Sequence, residues 1–218
     1  MKSHRSFVAF VATTTLGLAG CAFDIDDTQR VEAATAAVQA GGCNRPDRGT
    51  AVAVGPDTYI TAAHIVAGSE SVLIALPDGE FEAIPTVVDT DVDIAILYAP
   101  NHGQPWLELG SETVEDVAAV SVVLGGARLV PTVLRRIVWT TSADIYGEGS
   151  VDRLSLELAL EPDSGDSGSP VLDRRGRVVG IIVSDVVGAT IAFAVHPHEI
   201  SPILAAADGL TTAASSRC

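Results

Sequence analysis

Lysine is nearly absent from this 218-residue sequence: Lys2 stands alone, and cations of any kind are scarce, 13 Lys and Arg against 28 Asp and Glu. Residues 1–20 hold Lys2 and Arg5 and no acid, so without them 11 basic residues face 28 acidic ones and the formal charge falls from -15 to -17. A surface of that sign repels phosphate, which argues against nucleic acid and against anionic lipid headgroups as partners. Arginine, alanine and valine are plentiful where lysine is not, a bias that reads as a GC-rich genome rather than a function. Long apolar runs are missing too: Phe7–Leu18 is too short to cross a bilayer. There is no internal repeat and no low-complexity linker. That leaves one two-lobed unit, or two small lobes sharing a core.

What is present begins with an export signal. Lys2, His4 and Arg5 form a basic start ahead of the apolar run. Leu18-Ala19-Gly20-Cys21 then resembles a bacterial lipobox, which implies cleavage before Cys21 and its lipidation; an ordinary signal peptide cut near the same place is the alternative. Ala22 follows the cysteine instead of the Asp associated with inner-membrane retention, which favours the outer membrane where a cell has one. With Cys21 acylated, Cys43 and Cys218 remain in an oxidising compartment, where two thiols usually pair. Free thiols at two mobile ends are the other reading.

Residues 21–43, rich in Ala, Thr, Gln and acids, read as a tether with a short helix over Thr28–Gln39. From Gly49 onward, short Val/Ile-rich runs alternate with Gly, Pro and Asp, the pattern of an all-β chain. Strands are expected at Thr50–Val54, Thr58–Thr61, Val72–Ala75, Ile84–Asp89, Ala95–Tyr98, Ala118–Val123, Leu129–Trp139, Arg153–Leu160, Val171–Leu172, Val178–Val183 and Thr190–Val195. The expected division is a first lobe over 44–125, a second over 126–207 ending in a helix over His196–Ala207, and a tail over 208–218.

Three segments carry chemistry. Thr61-Ala62-Ala63-His64, Asp93-Ile94-Ala95-Ile96-Leu97 and Gly165-Asp166-Ser167-Gly168-Ser169-Pro170 supply a histidine, an aspartate and a serine in that order. A serine hydroxyl near neutral pH is a poor nucleophile and needs an adjacent base, which an imidazole provides. A buried carboxylate fixes the imidazole's tautomer and stabilises the imidazolium that forms. Those roles fall to Ser167, His64 and Asp93, with Asp91 as the alternative carboxylate on the same strand face. Alone, each segment is ordinary: a core histidine, a strand-end carboxylate, a Gly-rich turn. The α/β-hydrolase elbow, Gly-x-Ser-x-Gly with histidine last, does not fit, because Ser169 replaces the second Gly and His64 comes first. A calcium loop starting at Asp89 fails as well, with Ile94 and Pro100 where Gly and Glu are required. His196-Pro197-His198 lacks a third ligand, so no metal is expected.

Taken together, the segments resemble the trypsin/chymotrypsin superfamily, most closely its compact bacterial HtrA-type branch, over Gly49–Ala206. Gly180-Ile181-Ile182-Val183-Ser184 is similar to the strand walling the substrate pocket, and Ala192-Phe193-Ala194-Val195 to the closing strand. The resemblance implies two six-stranded antiparallel β-barrels with the site in the cleft between them. His64 and Asp93 would come from the first barrel and Ser167 from the second, with the N–H groups of Gly165 and Ser167 as oxyanion donors. It further implies Ser184, Asp185 and Val186 as the pocket's backbone wall, with Glu161–Ser164 at its base. A branched Val186 where Gly is common would shorten the pocket and favour small apolar P1 residues; Glu161 or Asp163 pointing inward would select Arg or Lys instead. The implied enzyme is a monomeric serine endopeptidase acting on peptides or proteins without a cofactor, tied to the envelope by its lipid. The alternatives are a homologue that mainly binds peptides or proteins, and a lipid-anchored scaffold. Departures from the pattern are Ser169 at a position usually Gly, no Ile/Val N-terminus to pair with Asp166, and no room for a PDZ module after the terminal helix.

Overall fold

The computed structural model describes residues 25–42, 45–100, 102–110 and 119–207. Cys21, Cys43 and Cys218, and with them the expected lipid attachment and disulfide, lie outside that set. In chain order the elements are α1 (Ile25–Ala33), β1 (Thr35–Gly42), β2 (Arg45–Gly55), β3 (Thr58–Ala62), α2 (Ala63–Val66), β4 (Ser71–Leu76), β5 (Gly79–Glu82), β6 (Ile84–Asp89) and β7 (Ile94–Tyr98). The second half adds β8 (Ala119–Leu124), β9 (Arg128–Ala143), β10 (Ser150–Leu158), β11 (Pro170–Leu172), β12 (Val178–Asp185), β13 (Ala192–Val195) and α3 (Pro197–Ala206).

The strands form two sheets. One is a seven-stranded sheet in the order β5-β4-β1-β2-β3-β7-β6; the other is a closed six-stranded barrel, β10-β13-β12-β11-β8-β9. The two-lobed all-β architecture is as the sequence suggests, but the first sheet has seven strands and does not close. The lobe boundary also moves: β8 belongs to the barrel, so the crossing lies between Tyr98 and Ala119 rather than at 125. Leu107 and Glu108 in that crossing are stitched to both sides, Leu107 N–H donating to the Ala53 carbonyl (2.9 Å) and Val178 N–H to the Glu108 carbonyl (2.9 Å).

The largest departure concerns the expected tether. Thr35–Gly42 is a central strand of the first sheet, antiparallel to both β2 and β4. Along it Ala36, Val38 and Ala40 are buried while Ala37, Gln39 and Gly41 are half-exposed, the period-2 alternation of a strand with one face in the core. Alanine and glycine have weak strand propensity, so this alternation barely registers as hydrophobic pattern. Partners on both edges, not propensity, make it a strand. β5 is a smaller omission, its Gly-Glu-Phe-Glu sequence being mostly exposed.

One apolar cluster runs through the first lobe and across the seam, joining Val38, Ile60, Ile74, Ile96 and Leu97 to Ile181, Val195, Ile200 and Ile203; a second fills the barrel around Leu134, Leu156, Leu158 and Ile182. Tyr59 lies wholly within the first, and burial followed by the nearby Asp57 carboxylate pushes its hydroxyl up to about 12, so it stays neutral. α3 begins at His196, whose Nδ1 accepts the His198 N–H (3.1 Å) with Pro197 in the first turn. His196 is therefore a helix cap. Val38→Asp tests the placement of β1. A tether would tolerate it, whereas an unpaired carboxylate in a central strand should lower stability by roughly 3–5 kcal/mol, measured as the fall in denaturant midpoint.

Candidate active site

β3 and β7 are antiparallel neighbours whose last register pair is Ala62 with Ile94. His64 lies just beyond the end of β3 and Asp93 just before the start of β7, so the strand register itself brings the two together. The segment after β3 winds into a single helical turn, α2, where the sequence suggested only a strand end. The first N–H groups of a helix lack internal partners, and here Asp93 supplies them. Ala63 N–H donates to the Asp93 carbonyl oxygen (3.2 Å) and His64 N–H to Asp93 Oδ1 (2.9 Å). His64 Nδ1 stands 2.8 Å from Oδ2 and 3.1 Å from Oδ1. Held this way, the ring carries its proton on Nδ1 and leaves Nε2 as the acceptor.

The aspartate is aimed by its own turn. Asp89 Oδ1 accepts the N–H groups of Asp91 (3.1 Å) and Val92 (2.8 Å), and Asp93 itself takes a left-handed backbone at φ 64°, a conformation uncommon for a residue with a Cβ. Asp89–Asp93 is thus a turn rather than a strand continuation, and Asp91 and Asp93 do not share a face. Asp93 is buried against His64 while Asp91 is exposed.

Ser167 arrives from the other lobe, on the loop between β10 and β11. Thr50 on β2 grips that loop twice: its N–H donates to the Ser167 carbonyl (2.8 Å) and its Oγ1 to the Gly165 carbonyl (3.1 Å). Thr61 Oγ1 in turn donates to the Thr50 carbonyl (2.8 Å). Gly168 N–H donates to the Ile182 carbonyl (2.7 Å), and Ile182 N–H to the Ser169 carbonyl (2.9 Å). At Gly168, with φ at 87°, a Cβ would overlap the Thr50 carbonyl oxygen and lie 2.7 Å from Thr61 Oγ1, so no other residue fits. Asp166 has a partner within its own loop: Oδ2 accepts the Asp163 N–H at 2.7 Å. Among the described residues, the N–H groups of Gly165 (φ 100°) and Ser167 donate to no protein acceptor.

His64 and Ser167 line one cavity of about 400 Å³, completed by Pro162, Asp163, Ser164 and by Ile182, Val183, Ser184, Asp185. Of the residues expected in the pocket wall, Ser184 and Asp185 are brought there and Val186 is not. Val186 does not line the cavity: its N–H donates to the Ile191 carbonyl (3.0 Å), one step beyond the Asp185–Ala192 pair, and its side chain is 42% exposed. Glu161 does not line the cavity; Asp163 does. Two residues escaped sequence reasoning: Thr50, and Arg153, whose buried guanidinium lies 4.0 Å from Asp93 Oδ2. Gly49 held a partial signal for the first, since a Cβ there would stand 2.8 Å from the Ser167 carbonyl.

Residues 49–181 match the Trypsin-like peptidase domain family. Serine protease Rv3671c of Mycobacterium tuberculosis is 32% identical over 169 residues, covering 75% of this chain and 43% of that protein. A probable periplasmic DegP-like serine endoprotease of Halomonas elongata is 33% identical over 146 residues, covering 63% and 29%. The chain thus spans less than half the length of these curated relatives. Among solved structures, the active form of Rv3671c superposes with a TM-score of 0.81 at 28% identity over 88% of each chain, and its inactive form with 0.71 over 84% and 93%. By its sequence over residues 49–181 and its fold over most of its length, the chain belongs to the trypsin-like peptidase family of serine proteases.

Proposed function

We propose that the chain is a serine endopeptidase whose nucleophile is Ser167, with His64 as general base and acid and Asp93 as the carboxylate that orients the imidazole. The observation that carries the reading is the doubly hydrogen-bonded His64–Asp93 pair opening on the same cavity as Ser167, beside two backbone N–H groups with no other acceptor. Ser167 Oγ bonds to the scissile carbonyl carbon as its proton passes to His64 Nε2; the C–N bond breaks as that proton passes to the leaving amine. Water, deprotonated by His64, then hydrolyses the acyl-enzyme. The carbonyl oxygen becomes anionic where the Gly165 and Ser167 N–H groups converge, a contribution of roughly 3–4 kcal/mol per donor.

The cavity wall supports a cationic P1 side chain over a small apolar one. Asp163 and Asp185 border it with Ser164 and Ser184, and Val186 is not there to fill it. Both carboxylates are exposed, so screening limits each to roughly 0.2–1 kcal/mol. The relatives' envelope setting and the Leu18–Cys21 motif support attachment through lipidated Cys21, with peptides or proteins outside the cytoplasm as substrates.

Four measurements test these statements. Ser167→Ala, His64→Ala and Asp93→Asn should each lower kcat/KM by roughly three orders of magnitude or more with an unchanged circular dichroism spectrum, and the doubles should lose little more. A fluorophosphonate probe should label the wild type and not Ser167→Ala; retained hydrolysis in Ser167→Ala, or loss in Asp91→Asn but not in Asp93→Asn, refutes the assignment. In peptide-library profiling, Arg and Lys should exceed Ala at P1 by a few-fold, less so in Asp163→Asn and Asp185→Asn; equal preference in wild type and variants removes the cationic reading. Finally, Cys21→Ser should move the protein from the membrane fraction to the soluble one without loss of hydrolysis, and unchanged fractionation disproves the anchor.

A further inference from the structure

We infer that Arg153 is a positioning residue of this site: its guanidinium supplies the counter-charge that Asp93 needs while His64 is neutral, and so keeps His64 available as a base at lower pH. The inference rests on the reading of Ser167, His64 and Asp93 given above.

Arg153 belongs to β10 of the barrel, yet its side chain crosses the seam. Nη1 donates to the Val92 carbonyl (3.2 Å) and lies 4.0 Å from Asp93 Oδ2; Nη2 donates to Ser142 Oγ (2.8 Å) and the Ala143 carbonyl (3.3 Å) on β9. Its side chain is 8% exposed and that of Asp93 7%, against 31% for His64. Among the described residues, the buried Nε has no hydrogen-bond partner. A purely structural arginine gains nothing by burying an unsatisfied donor; here the fork is held from β9 and directed toward Asp93.

A buried carboxylate without a cation is strongly disfavoured. If His64 were the only partner, Asp93 would favour the imidazolium, which cannot accept the serine's proton. Arg153 Nη1 lies 4.0 Å from Oδ2, the oxygen that His64 Nδ1 also meets, and the guanidinium cannot be deprotonated. The guanidinium lies no more than about 7 Å from the imidazole, close enough to disfavour a second positive charge there. The other charged or titratable groups around this pair are carboxylates or histidine: Asp163 and Asp185 across the cavity, Asp89 beneath the turn, Glu199 of α3, which accepts the Leu154 N–H (3.3 Å), and His196 at the head of that helix. Among these neighbours Arg153 is the permanent cation.

The test compares variants with and without the charge. Arg153→Gln keeps donors and loses the charge, Arg153→Met loses both, and Arg153→Lys keeps the charge. In whichever of the first two folds, the acid limb of the kcat/KM–pH profile should move up by roughly 0.5–1.5 pH units, while Arg153→Lys should stay within about 0.3. Proton NMR of the His64 ring should show the same displacement of its titration midpoint. That signal does not depend on hydrolysis, so it separates failure of this inference from failure of the Ser167 assignment. An unmoved limb in the charge-free variants, or an equal movement in Arg153→Lys, overturns the inference. So does a pair of charge-free variants that cannot fold while Arg153→Lys folds, since the charge would then serve the fold and not the base.

Discussion

The hold of Thr50 on the loop carrying Ser167 is the constraint on which the rest of the site depends. A peptide group is planar, so fixing its carbonyl fixes its N–H as well. The Gly165 carbonyl goes to Thr50 Oγ1, while the N–H of the same peptide, on Asp166, donates to the Asp163 carbonyl (3.1 Å). The Ser167 carbonyl goes to the Thr50 N–H and its partner N–H, on Gly168, to Ile182. With these two peptides saturated, the alternating ones, which carry the Gly165 and Ser167 N–H groups, donate to no acceptor among the described residues. Neighbouring backbone amides left without protein acceptors can form an anion-binding concavity. The donors therefore originate in a strand of the opposite lobe as much as in the loop itself, and the packing is close enough that Gly49 and Gly168 leave no space for a Cβ.

The electrostatics are organised about the same seam. Three charged groups of the site are buried, Asp93, Arg153 and Asp166, and each meets a partner that leaves His64 unencumbered. Asp166 is satisfied by a backbone N–H within its own loop. Asp93 is shared between backbone, ring and guanidinium. The tip of the β9–β10 hairpin shows the same economy in an exposed setting. There the Glu148 N–H, followed by those of Tyr146, Gly149 and Gly147, holds the Asp144 carboxyl below its ordinary range. That turn closes the hairpin from which Ser142 and Ala143 hold Arg153.

How much of this was legible in the sequence follows from the range of each interaction. His64, Asp93 and Ser167 sit in short strings whose residue types announce their local geometry, and β3, β6, β7 and β12 carry Val/Ile patterns strong enough to place them within a residue or two. Thr50 and Arg153 announce nothing, because their partners lie 115 and 61 residues away. An isolated Thr in a strand reads as strand propensity, and an isolated Arg as surface. β1 was hidden for a different reason: its buried face is built largely from Ala, which packs between β2 and β4 without adding hydrophobic signal. Val186 lies outside the cavity lining because a residue's place relative to a pocket depends on how two strands are registered. The β12 and β13 register shifts between Ile182 and Ser184, and no composition rule gives that.

The continuity of the core explains why the lobes cannot be treated as separable parts. Val123, Leu172, Ile181 and Val195 of the barrel belong to the same apolar cluster as Ile60, Ile96 and Leu97 of the open sheet, and α3 from the chain's end packs across both. Closely packed interiors resist small displacements. A shift of the barrel by even a fraction of an ångström would act at once on the Thr50 hydrogen bonds, on the Arg153–Asp93 distance and on the separation of Ser167 from His64. On the proposed reading, a nucleophile and base supplied by different sheets are productive only within such tolerances. An uninterrupted cluster beneath them gives that precision where a hinge between two independent cores would not.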